Sequence, residues 1–180
     1  MLDDYDVGEL DVLVFGGMVP AETKEYLKAE IGRRNAGITV LQGLVGIPGV
    51  LAAQVDAATR ENESAVEVEY DEAERIIRVT LPDDVRVTVE ALWMTSWTPP
   101  EPTTTSSTVF DGELVAGSHD IALPERVPTE GSFAVVRAGD EVRAFAVGPM
   151  PKALARMVPK SASDHRLPEV ASVTTREDLG

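Results

Sequence analysis

The sequence predicts a mainly β chain with a minor α+β part. The expected fold is a small antiparallel β-sandwich or barrel of about seven strands, with an N-terminal helix, an apolar Gly-rich connector and an extended C-terminal arm. Three observations carry that expectation. From Ala65 onward apolar and polar residues alternate with period two. Short turn clusters punctuate the alternation, and few segments in this half of the chain repeat with a helical period.

Taken in order, Met1-Leu-Asp-Asp-Tyr-Asp is an acidic leader, unlike the basic-then-apolar start of a secretory signal. Residues 11–15 (Asp-Val-Leu-Val-Phe) read as a strand closed by Gly16-Gly17. Pro20 suits the first turn of a helix in which Glu22, Glu25 and Glu30 run with Lys24, Lys28, Arg33 and Arg34, acids early and bases late, as the helix dipole favours. Leu27 and Ile31 share one face, and Asn35-Ala36-Gly37 ends the helix. Residues 36–55 form the most apolar stretch, but Gln42, four glycines and Pro48 interrupt it, so it reads as a buried or interface-forming segment and not as a membrane span.

Three strands of an antiparallel meander are then expected. Val66, Val68 and Tyr70 alternate with Glu67 and Glu69; Ile77, Val79 and Leu81 with Arg78 and Thr80; Val85, Val87, Val89 and Ala91 with Arg86, Thr88 and Glu90. The acids of the first would face Arg78 and Arg86 of its neighbours. Further strands are expected at 109–116, 119–123, 132–138 and 141–147, the last two joined by Gly139-Asp140. Between the two groups the Pro/Thr-rich segment 95–108 reads as an extended loop, and residues after Gly148 as an arm punctuated by Pro149, Pro151, Pro159 and Pro168. The expected organisation is therefore 1–60 (strand, helix and connector), 61–148 (antiparallel β domain) and 149–180 (arm).

Composition narrows the function. Thirty-one acidic against 16 basic residues give a net charge of -15, which disfavours nucleic acid as a partner. Only four of the basic residues are lysine (Lys24, Lys28, Lys152, Lys160). An acidic, Arg-biased chain suits concentrated salt, where self-repulsion is screened within about 3 Å at 1 M, and it implies a fold that weakens as salt is removed. The absence of Cys excludes disulfides, thiolate metal sites and cysteine nucleophiles.

Residues 12–32, with Val14-Phe15-Gly16-Gly17-Met18-Val19-Pro20 at their centre, are similar to the strand, Gly-Gly turn and Pro-started helix near the end of cobalamin-binding domains of the mutase family. The upstream Asp-x-His-x-x-Gly motif of that family has no counterpart here, since only eleven residues precede Val12 and none is His. With no parallel α/β pattern expected afterwards, the match implies strand-turn-helix geometry and no cofactor. G-x-G-x-x-G and the phosphate-loop Gly-Lys-Ser are absent as well. His119 and His165, each beside a Ser and an Asp, read as exposed loop residues, because sequence neighbours on a strand point apart and a triad is assembled in space. Carboxylate pairs such as Asp83-Asp84 follow from composition, Asp4-Tyr5-Asp6-Val7-Gly8 falls short of a calcium loop, and Asn62-Glu63-Ser64 is a glycosylation sequon that matters only on export.

Trp93 and Trp97 bracket the start of the Pro-rich segment. Trp93 is expected in the core, and Trp97 at an interface together with Pro99 and Pro100. Residues 149–168 carry Lys152, Arg156, Lys160 and Arg166 against Asp164, a formal +3, so this arm could clasp the acidic body of a neighbouring copy. Together these features point to a non-enzymatic structural subunit that binds copies of itself and other structural subunits, a homo-oligomer without cofactor or metal. The setting they suggest is a virion (tail, head-tail connector or capsid decoration) of a tailed virus of a halophilic archaeon, made in the host cytoplasm; a cellular version would remain cytoplasmic. The alternatives are a soluble protein- or glycan-binding module and a carboxylate-based hydrolase on a β scaffold.

Overall fold

The computed structural model describes residues 6–16, 19–43, 47–60, 65–96 and 103–149. The chain opens with a 3-10 turn at Val7–Glu9, capped by Asp6, whose Oδ1 accepts from the Gly8 amide at 3.0 Å. That carboxylate therefore serves a cap. Strand β1 (Val12–Phe15), helix α1 (Ala21–Arg34) and strand β2 (Thr39–Gln42) follow, with β1 and β2 parallel in the register Val12 opposite Thr39 to Phe15 opposite Gln42.

This parallel β-α-β unit corrects the expectation that no parallel pattern follows the first strand. The reason is physical. A short buried parallel strand has no alternation to display, and Thr39-Val40-Leu41-Gln42 lies inside a continuous apolar run where period gives no signal. The same run holds helix α2 (Pro48–Ala58), in which Pro48 occupies the first turn, where its missing N–H is harmless. The proline read as an interruption is a helix start, and Ile47, Val50 and Ala53 are buried. No helix among the described residues is long and apolar enough to cross a membrane.

Seven strands follow: β3 (Glu67–Asp71), β4 (Ile76–Leu81), β5 (Val85–Ser96), β6 (Thr103–Leu114), β7 (Gly117–Ala122), β8 (Ser132–Ala138) and β9 (Glu141–Ala146). They form two antiparallel sheets in a sandwich-like arrangement, one in the order β3-β4-β7 and the other β6-β5-β8-β9. The mainly β fold read from the alternation is thus observed. Its meander is not. β4 pairs with β3 and β7, and the chain crosses at Pro82-Asp83-Asp84 into the second sheet. In one sheet, Ile77, Val79, Leu81, Val87, Val89 and Ala91 would crowd a single face with nothing to cover it. In two sheets they meet across the core with Ala134, Val136 and Phe145.

The partition also separates the expected charge pairs. Glu69 does lie opposite Arg78, but Arg86 pairs with Asp111 of β6 at 2.8 Å. A second correction concerns 95–108: β5 runs through Ser96 and β6 starts at Thr103, because threonine's β-branched side chain suits a strand as readily as its hydroxyl suits a loop. A third is His119, which sits on β7 opposite Val79, its Nε2 2.7 Å from the Val115 carbonyl oxygen.

The second sheet is buried on both faces at β8. Ala134 and Val136 point to the sandwich core, while Phe133 and Val135 join Leu92 and Val142 against Ile47, Val50 and Ala53 of the α2 region. The chain thus builds three layers there: sheet, sheet, helix. Gly49 permits the close approach, since a Cβ at that position would stand 2.6 Å from Leu92 Cδ2. Arg60 fastens the far end of α2, donating from Nε to Asp56 Oδ1, its i, i+4 partner, at 2.8 Å and from Nη1 to the Asp140 carbonyl at 3.1 Å in the β8–β9 turn. In that two-residue turn Gly139 has φ +57°, as a primed hairpin turn requires.

Candidate interaction site

The order β6-β5-β8-β9 leaves β6 at a sheet edge, and among the described residues no strand pairs with its outer side. Its first six residues are Thr103-Thr104-Thr105-Ser106-Ser107-Thr108, all exposed except the half-buried Ser107. Cross-strand register places Ser107 and Thr105 on the face of Ala91 and Trp93, and Ser106 and Thr104 on that of Leu92 and Met94. Two irregularities bound this stretch, at Val109 on β6 and at Thr95 on β5, whose hydroxyl contacts Thr103 Oγ1 at 2.8 Å. Bulges raise local twist, so residues 103–108 form a regular stretch set apart from the rest of the β6 edge.

One side chain covers part of it. Arg126, from the loop after β7, donates through Nε to Ser107 Oγ at 3.0 Å and through Nη2 to the Thr108 carbonyl at 3.1 Å. The loop is held from the other side by Arg75, which donates to the Val127 carbonyl at 2.7 Å, and Val127 is buried in the sandwich core. Residues 103–106 lie beyond Arg126.

The other edges differ in charge. β3 presents exposed Glu67, Glu69 and Asp71. On β7 Asp120 is engaged by a two-pronged contact from Arg78, Nε to Oδ1 at 2.8 Å and Nη2 to Oδ2 at 3.1 Å. That hydrogen bond, aided by the guanidinium charge, holds the Asp120 carboxyl below its ordinary range. A hydrolytic general acid requires the opposite shift.

A buried polar network lies elsewhere, at the carboxyl ends of the parallel strands. Lys24 is 5% exposed and donates from Nζ to Gln42 Oε1 at 2.7 Å; Gln42, 3% exposed, donates from Nε2 to the Phe15 carbonyl at 3.0 Å and to the Gly43 carbonyl at 3.3 Å. The network ties α1 to the ends of both strands. Burial first, and Lys28 second, hold the Lys24 ammonium below its ordinary pKa of 10.5.

The unfolded chain therefore binds this proton more tightly than the folded one. The fold carries a penalty below the folded pKa, and that penalty is relieved as pH rises through it toward 10.5. Lys24→Met removes this gain: urea midpoints of the two proteins, compared from pH 7 to 10.5, converge or cross in a manner set by the lysine, whereas parallel curves would contradict the assignment.

Trp93 is half-buried and packed against the sandwich core, so the expectation of a buried Trp93 is met only in part. Trp97, Pro99 and Pro100 lie outside the described residues, as do Lys152, Arg156, Lys160, Arg166, His165 and the Asn62 sequon. Sequence reasoning missed the uncovered edge at 103–106 and the Lys24–Gln42 network. The signal for the edge was present as six consecutive hydroxyl residues entering a strand; the network had none, because Lys24 reads as one of several helix charges.

No family model, no curated protein and no solved structure matches the chain. The functional reading consequently rests on the geometry of the molecule itself.

Proposed function

We propose that the chain is a non-enzymatic structural subunit that works by binding copies of itself, as a virion component (tail, head-tail connector or capsid decoration) of a tailed virus of a halophilic archaeon. The observation that carries the reading is the edge of β6 at Thr103–Ser106, uncharged, exposed and without a partner strand among the described residues. Sheet edges invite pairing with another chain, and soluble proteins ordinarily blunt them with charge, proline or cover. An edge left uncharged on a chain of net charge -15 is a place where two such chains approach without repulsion.

Composition supports the habitat. The carboxylates of β3 and of the turns at 71–74 and 83–84 are exposed to solvent, where they hold water against competing ions. In molar salt their mutual repulsion is screened, so assembly is favoured under the conditions the composition suits. Light scattering on the full chain in molar KCl is expected to give multiples of the 19.3 kDa chain mass. A single monomeric species would instead favour a soluble binding module.

A further inference from the structure

We infer that β6 pairs antiparallel with β6 of a second copy along Thr103–Ser106, so that two four-stranded sheets become one of eight strands. The inference rests on the assembly reading and specifies its contact.

Charge selects this edge over that of β3. Two β3 edges brought together would oppose Glu67, Glu69 and Asp71 with their own kind, and like charges directly opposite are destabilising. β9 is flanked by α2 and carries Glu141 bound to Arg143 at 2.7 Å. On β6 the stretch from Thr103 to Thr108 contains no charge, and Asp111 at its far end is paired with Arg86.

A two-fold contact places the same surface on both partners, so the strip must be complementary to itself. Hydroxyl residues meet that demand, because each donates and accepts, and Thr and Ser opposite one another are favourable cross-strand pairs. The bulges at Thr95 and Val109, with Arg126 across Ser107 and Thr108, mark where regular pairing stops.

A second copy is a better occupant than residues 150–180 of the same chain. That segment includes Pro151, Pro159 and Pro168, which cannot donate to a ladder, and its basic residues at 152–166 would find no acid on the strip.

The chain has no cysteine, so a single introduced thiol reports only on contact with another copy. Thr104→Cys, Thr105→Cys, Ser106→Cys and, on the opposite sheet, Glu67→Cys are treated in molar KCl with a short bis-maleimide. The expected result is a covalent dimer from at least one β6 position and none from Glu67→Cys. In the cysteine-free background, Thr104→Lys/Ser106→Lys is expected to lower the dimer fraction at fixed concentration at least tenfold with an unchanged far-UV CD spectrum.

Assembly that persists with cross-links absent from β6, or equally strong at position 67, overturns the edge contact while leaving the assembly reading standing. A monomer with freely reactive β6 thiols overturns both. A monomer whose β6 thiols become reactive only after removal of residues 150–180 assigns the edge to that segment and likewise overturns the pairing.

Discussion

Gly148→Ala lowers the stability of the fold by about 3 kcal/mol, combining about 1–2 for the backbone conformation with about 1–3 for overpacking. Gly148 has φ +104°, a region that side-chain-bearing residues rarely enter, and a Cβ there would stand 2.1 Å from the Thr129 carbonyl oxygen. The obstruction is backbone, so no rotamer change relieves it. Thr129 belongs to the loop that carries Arg126 and Val127, and this loop is stitched to the end of β9 by Gly131 N to Pro149 O at 3.1 Å and Val147 N to Ser132 O at 3.0 Å. Moving it would loosen both the cover on β6 and the plug in the core. Urea denaturation measures the effect. Gly32→Ala serves as a control of opposite sign: position 32 is helical and has open space around it, so alanine is expected to stabilise by about 0.5–1 kcal/mol. Equal midpoints for Gly148→Ala and the native chain would refute the steric argument.

Phe133→Ala is expected to cost about 3–5 kcal/mol, the range for deleting a buried aromatic ring and leaving a cavity. Phe133 is fully buried between the second sheet and α2, in a cluster with Ile47, Val50, Leu92, Val135 and Val142. Its loss tests more than packing. If the α2 layer is part of the cooperative fold, amide exchange in residues 47–58 should accelerate in the variant along with exchange in β8 and β9. A loss below about 1 kcal/mol, or exchange in α2 that is rapid in both proteins, would mean that the helix adds little to the sheet, since surface-like changes stay within about 0.5 kcal/mol.

Period-two alternation was enough to place a strand at each of the seven positions of the sandwich, though it missed the first half of β6, because each has one face on a core and one toward solvent or a second layer. Val66 to Ala91 illustrates this: valines and isoleucines at every second position leave little freedom in which residues point inward. The pairing partners were not legible. Nothing in Leu81-Pro82-Asp83-Asp84-Val85 distinguishes a hairpin from a crossing between sheets, and the decision comes from β7, which begins only at Gly117 and takes the edge of β4 that a meander would have given to β5.

The apolar run at 36–55 hid a strand and a helix for a different reason. Apolar at half-buried or exposed positions such as Leu51, Ala52 and Val55 as well as at buried Val50 and Ala53, it shows neither a period of two nor one of 3.6, and its punctuation marks, Gly43 and Pro48, each had a second meaning as strand end and helix start. Gln42 in that run looked like a break in hydrophobicity, yet it is the residue that receives the Lys24 ammonium and bonds the last carbonyl of β1. A polar residue inside an apolar segment is as informative as the segment around it, because burial obliges it to find partners. The β6 edge shows the same point on the surface. Thr103 to Thr108 has the composition of a linker, but register with β5 turns it into the one long uncharged edge among the described strands.

Self-assembly through that edge is tested most directly by the molar mass of the full chain in molar KCl, followed over a hundredfold range of protein concentration. Mass that rises with concentration through even multiples of 19.3 kDa, and that falls to the monomer in Thr104→Lys/Ser106→Lys, is the expected result. A constant 19.3 kDa at every concentration would contradict it.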